Sequence, residues 1–164
     1  MSLIIKVKIN HILLFIAFIS LINIAYFFYS YKTRLNINCE SSGMSEIANE
    51  KVKIRADGST TYRFNTDYTG RISIKTKIDI GDKSYFLNRD ISITYEREGA
   101  DYYKVTPTKV LRSLADNAPD NFIENSFMIK QAYEYALTIK KVNNNTYLLG
   151  GSFSPMTICV VKPN

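Results

Sequence analysis

The sequence predicts an α+β protein: an N-terminal transmembrane helix followed by a mostly antiparallel β domain, a curved sheet or partial barrel with one or two short helices. Three observations carry this. Residues 12–31 form a run without a charge, the residues after 32 alternate apolar and polar side chains in several stretches, and Gly, Asp and Asn separate those stretches. Composition leans the same way, with 12 Tyr and 9 Phe, no Trp, and frequent Ile and Thr.

The run ILLFIAFISLINIAYFFYSY matches the roughly 20 apolar residues that a helix needs to cross about 30 Å of hydrocarbon. Lys6 and Lys8 before it could be the n-region of a secretory signal. The apolar stretch is too long for that, and it ends in Tyr26, Phe27, Phe28, Tyr29 and Tyr31 where a peptidase site needs small residues. Such an aromatic cluster suits the headgroup zone of a mature span. Lys32 and Arg34 balance Lys6 and Lys8, so basic residues do not fix the orientation. Cys39 and Cys159 both follow the span, and an even pair in a small exported domain marks a disulfide. The expected layout is a cytoplasmic tail at 1–11, an anchor at 12–31 and an exported domain at 32–164. Within the anchor, Ala17, Ser20 and Asn23 recur on one helix face. They form a candidate helix–helix contact, or the anchor simply tolerates one amide.

In the exported domain, Leu35, Ile37 and Cys39 alternate with polar residues and predict a first strand, and 41–48 reads as a loop. Residues 50–56 and 60–66 read as two strands joined by a hairpin at Asp57-Gly58. Strands at 71–80 and 85–96 follow, separated by Gly81-Asp82. A short extended piece spans 102–105. Thr106 as a cap, Pro107 in the first turn and Val110, Leu111 and Leu114 predict a helix to about Asn117. Pro119 starts a second helical turn through Phe122 and Ile123, residues 126–136 fit helix or strand, and strands at 133–142, 146–149 and 156–161 close the chain.

The formal net charge of +6 does not point to nucleic acid, because the basic residues alternate with Val and Ile along predicted strands, as in 51–55 and 71–80. A solvated sheet face explains them; an acidic partner surface or anionic headgroups are the alternatives. Nothing catalytic emerges. The one histidine, His11, lies at the membrane edge, so the exported domain lacks the commonest general base and metal ligand. Gly150-Gly-Ser-Phe-Ser154 lacks the spacing of a nucleophile elbow, and Asp79, Asp82, Asp116 and Asp120 read as turn residues. No enzyme activity, metal or cofactor is expected.

The short tail, the single span, the strand carrying Cys39 and the terminal Ser154-Pro-Met-Thr-Ile-Cys-Val-Val161 stretch together resemble a known group. These are the small bitopic proteins encoded beside membrane-bound winged-helix transcription activators: the PsaF and MyfF type of fimbrial loci, FidL, and more distantly ToxS. The resemblance implies a single-pass inner-membrane protein with its C-terminal domain in the periplasm. It also implies an accessory regulator, whose domain binds and protects a ToxR-like activator and promotes transcription of adhesin genes, without touching nucleic acid itself. Members of the group are similar to lipocalins in architecture, with partner strands completing a barrel that admits an amphipathic ligand. The alternative is a stand-alone periplasmic binder of a lipid or bile-salt-like amphipath, suggested by the aromatic-rich strands.

Overall fold

The computed structural model describes residues 2–32, 34–48, 53–120, 131–151 and 155–162. The chain divides into two units, Met1–Arg34 and Leu35–Asn164. The first is helix α1, Ser2–Lys32. Residues His11–Phe28 have a mean hydropathy of 2.2, and their side chains are exposed all round. A helix that is apolar on every side has no face for water, and its backbone bonds are satisfied internally, as hydrocarbon requires.

The second unit is a closed barrel of eight strands: β1 Ile37–Ala48, β2 Lys53–Phe64, β3 Thr69–Ile80, β4 Lys83–Arg97, β5 Tyr102–Arg112, β6 Tyr135–Asn143, β7 Thr146–Gly150 and β8 Pro155–Val161. Each strand runs antiparallel to the next, and β8 returns to β1. Period-two alternation turns one set of side chains inward. Phe64, Ile74, Ile78, Leu87, Ile91, Ile93, Tyr95, Leu137 and Leu149 are among those forming a single buried core. The fold is thus the antiparallel β domain expected, but the strands close into a barrel, and this shortens the free edges of an open sheet to the stretch where β1 and β8 diverge.

Three local expectations fail. Asp57-Gly58 is no hairpin: β2 runs straight through it, pairing with β1 on one side and β3 on the other. A Cβ on Gly58 would lie 2.2 Å from the Lys75 carbonyl oxygen and 2.5 Å from the Thr76 Cα, so the glycine serves a close approach of two backbones. Residues 41–48 are strand β1 rather than loop, paired residue by residue with β2. The helix expected from Thr106 to Asn117 is the second half of β5 and a turn. Tyr103, Val105 and Pro107 are buried on alternate positions, whereas Leu111 and Leu114 are exposed. Pro107 is accommodated at a bulge: Ser92 pairs with Lys109 and Ile93 with Pro107, leaving Thr108 as the extra residue, its hydroxyl donating to the Ser92 carbonyl at 3.1 Å. The second helical turn, at Phe122 and Ile123, lies outside the described residues, as do 126–130; Ala132 ends a turn and Tyr135 opens β6. Gly81 does make the β3–β4 turn, with φ at +57°.

Gly43 is the register partner of Gly58, yet a Cβ there would meet nothing within 4 Å. Gly58→Ala is therefore expected to cost about 1–3 kcal/mol, through overpacking against β3. Gly43→Ala should change stability by less than about 0.5 kcal/mol. Urea unfolding of the two variants in detergent checks this, and equal midpoints would refute the close-approach account.

Candidate functional site

The barrel is hollow near its β1–β8 junction. A cavity of about 350 Å³ lies there, at the small end of the range for ligand sites. Its wall has two characters. Ser41 and Ser45 of β1, Thr60 and Tyr62 of β2 and Thr157 of β8 bring hydroxyls to one side; Ile72, Ile74, Ile93, Val105, Leu137 and Leu149 form the other. No charged side chain lines it. The Ser41 and Thr157 hydroxyls hydrogen-bond to each other across the junction, and burial pushes the Tyr62 hydroxyl pKa up. Such a space fits an amphipathic body with one hydroxyl-bearing or carbonyl-bearing edge, and leaves no partner for a buried ionic group.

The end of the barrel where the chain comes in from α1 is filled by aromatic rings. Tyr95 meets Phe64 edge-on at 5.5 Å between ring centres, Tyr68 at 5.7 Å and Tyr103 at 6.1 Å. Its hydroxyl donates to the Asn65 carbonyl, with the Leu35 carbonyl 3.5 Å away. Burial pushes its pKa up to about 12, so the phenol stays protonated and remains a donor.

A charge network closes the other end. Arg89 is buried on the inner face of β4 and donates from Nε to Asp116 Oδ2 at 2.9 Å. Its Nη2 bonds the Ala118 carbonyl at 3.1 Å and Asp120 Oδ1 at 2.7 Å. Arg112 Nε lies 3.2 Å from Asp116 Oδ1. The Asp116 carboxylate also accepts the backbone N–H groups of Asn88 and Ala118, each at 3.0 Å. Asn117 reinforces the clasp, accepting the Phe86 N–H at 2.7 Å. Burial alone would raise the Asp116 pKa, but Arg89 and the two backbone donors outweigh it and hold the carboxyl below its ordinary range. Asp116 is therefore not the ordinary turn residue that its surroundings in sequence suggest. The signal was Arg89 itself, a charge on the inward face of Tyr85, Leu87, Ile91, Ile93 and Tyr95, where only a paired arginine can stay.

The two cysteines are joined, Cys39 on β1 to Cys159 on β8, with Cα atoms 5.4 Å apart and both side chains fully buried. Ala17, Ser20 and Asn23 lie on α1 with exposed side chains, and Asn23 Nδ2 donates to the Ile19 carbonyl at 2.8 Å. His11 is also exposed on α1. Asp79 accepts from the Ser84 hydroxyl and pairs with Lys77, as a residue at a strand end does. Among the described residues no three His, Cys, Asp or Glu side chains gather as a metal site would require. The outer face of β8 stands apart, because Ile158 and Val160 are 60 and 52% exposed, and Met156, which also borders the cavity, is 53% exposed. Pairing of β8 with β1 is confined to Cys39↔Val161 and Glu40↔Val160, so the strand from Pro155 to Cys159 has no ladder partner on that side among the described residues.

An apolar N-terminal helix followed by a disulfide-closed, eight-stranded barrel defines a small membrane protein with one extramembrane β domain. The chain belongs to the family of FidL-like putative membrane proteins, whose pattern matches residues 77–159, just over half its length. The match runs from the end of β3 to Cys159 and includes the Arg89–Asp116 clasp. No curated protein matches the chain.

Asp116→Asn leaves Arg89 the exposed Asp120 as its one carboxylate among the described residues, and should cost about 3 kcal/mol near neutral pH. A carboxyl with a lowered folded pKa contributes in full above the unfolded value, about 3.9, and its contribution is lost as pH falls through the lower folded value. The stabilities of wild type and variant should accordingly stay apart down to about pH 5 and converge only in strong acid. Chemical denaturation at several pH values measures this; a gap that closes near pH 6 would contradict the assignment.

Proposed function

We propose that this protein is an accessory regulator of the PsaF and MyfF type: anchored in the inner membrane by α1, it holds its barrel in the periplasm and binds the periplasmic part of a membrane-bound, winged-helix transcription activator. Membership of a membrane-protein family, the span and the buried disulfide support this placement. The observation that carries the reading is the outer face of β8. Three exposed apolar side chains, Met156, Ile158 and Val160, stand on a strand whose first half has no ladder partner on its β1 side among the described residues. A strand added there would gain main-chain hydrogen bonds for affinity and an apolar stripe for specificity. Its partner would in turn be shielded from proteolysis, and adhesin genes would be expressed.

The cavity favours a second reading, a stand-alone binder of a lipid or bile-salt-like amphipath, since its two-sided wall would take an apolar body with a polar edge. The readings differ in what the activator needs. For the regulator, the half-life of the activator encoded beside it should fall several-fold when this protein is deleted. Mild acid should not change the contribution of four carboxylates, because hydrogen bonds and nearby cations displace the pKa values of Glu40, Asp79 and Asp116 downward and hydrogen bonds from Thr69 do the same for Asp67. Pulse-chase measurement at neutral and mildly acidic pH checks both points. An unchanged half-life would transfer the function to the amphipath binder.

A further inference from the structure

Some basic side chains on the outer wall of the barrel have an acid beside them. Lys53 pairs with Glu46 at 2.9 Å, Lys77 with Asp79 at 3.2 Å, Lys104 with Glu96 at 3.2 Å and Lys162 with Glu40 at 2.6 Å. Arg63 and Arg71 do not. They are register partners on β2 and β3, both exposed and on the outward set of positions, and no ion pair among the described residues reaches either. Like charges directly opposed on neighbouring strands repel. Their flanking register partners, Asn38 on β1 and Ser92 on β4, are neutral, and the next acids along those strands, Glu40 and Asp90, are engaged by Lys162 and by the Ser73 hydroxyl. The one acid in the adjoining turn, Asp67, is engaged by the N–H and hydroxyl of Thr69, at 3.0 and 2.7 Å.

This pair sits at a particular end of the barrel. Arg63 is opposite Asn38, the second residue of β1. Only five Cα steps separate Ile37 from Lys32, the last residue of α1, and a fully extended chain covers them in about 18 Å. The β6–β7 turn lies at the same end, since the Val161 N–H donates to the Asn145 carbonyl and Val161 pairs with Cys39. That turn is preceded by Lys140 and Lys141, both exposed and without an ion pair among the described residues, and by Val142, 61% exposed. Tyr102 at the start of β5 is also exposed there. Unmatched cations mixed with exposed apolar and aromatic groups are what a surface in contact with a charged membrane interface presents.

We propose that this end of the barrel binds the anionic lipid headgroups of the bilayer that α1 spans, with Arg63 and Arg71 as the phosphate-binding pair. The inference rests on the membrane reading of α1 and is independent of the activator. An anionic oxygen between two guanidinium groups turns their mutual repulsion into two charge-assisted contacts.

The test uses the full chain in vesicles of phosphatidylcholine, alone or mixed with phosphatidylglycerol. Arginine modification by phenylglyoxal, an uncharged reagent, is followed residue by residue with mass spectrometry. Arg63 and Arg71 should react about fivefold more slowly in the anionic vesicles, with the protection lost in high salt. Arg55, exposed towards the other end of β2, should react alike in both. Equal rates for Arg63 and Arg71 in the two bilayers would overturn the proposal, as would equal slowing of Arg55 or protection that appears only with an acidic protein domain present. Extraction of the chain from both vesicle types by alkaline carbonate would instead overturn the membrane reading beneath it.

Discussion

The whole β domain depends on the meeting of β1 with β8. Between β2 and β3, or β3 and β4, the ladders run the length of the strands, but β1 and β8 share two register positions. The covalent bond between Cys39 and Cys159 stands at this point and ties together residues 120 apart in sequence. A cross-link closing so long a loop removes denatured-state entropy worth up to about 5 kcal/mol in the chain-entropy picture. The Lys162 N–H to Asn38 carbonyl bond and the Lys162–Glu40 ion pair add to this short junction, and without closure two sheet edges would be exposed. The same short junction leaves room inside for the cavity and leaves β8 partly unpaired outside. The closure, the cavity and the unpaired stretch of β8 all follow from one constraint.

The ends of the barrel are sealed by different chemistry. At the anchor end, rings pack around Tyr95, whose hydroxyl is satisfied by backbone, so the seal is apolar and insensitive to pH over the physiological range. At the far end, residues 113–118 fold back and put Asp116 onto Arg89. A buried pair of this kind adds little net stability over an apolar filling, yet losing one partner is costly, so it specifies where the loop must sit. Burial works against both charges. Their mutual hydrogen bonds more than offset it, raising the arginine pKa and lowering that of the aspartate.

The legible part of this fold was the part with a strong period. The anchor, the strands around Ile72 to Ile80 and Tyr85 to Tyr95, and the terminal strands are readable because their inward residues are large and apolar. What failed in the reading has a common cause. Residues 41–48 look like a loop because Ser41 and Ser45 line a hollow, where small hydroxyl side chains replace the usual Val or Ile. Gly58 looks like a turn because close backbone contact and a tight turn both demand glycine. Thr106-Pro107 resembles a helix start, but buried alternation at Tyr103, Val105 and Pro107 and a bulge at Thr108 override local preference. The Arg89–Asp116 clasp was half visible: the arginine broke an apolar face, while its partner, 27 residues later, could be found only in three dimensions.

The proposal that this is a partner-binding module rests on the anchor, the disulfide-closed barrel and the exposed β8 stripe. The most direct measurement of that claim is purification of the intact, tagged protein from native membranes in mild detergent, with identification and quantification of whatever leaves with it. The account predicts near-stoichiometric recovery of a single-span winged-helix activator, lost when Ile158 on β8 is replaced by Lys. Recovery of the barrel without the activator, carrying an amphipath in its cavity, would contradict it.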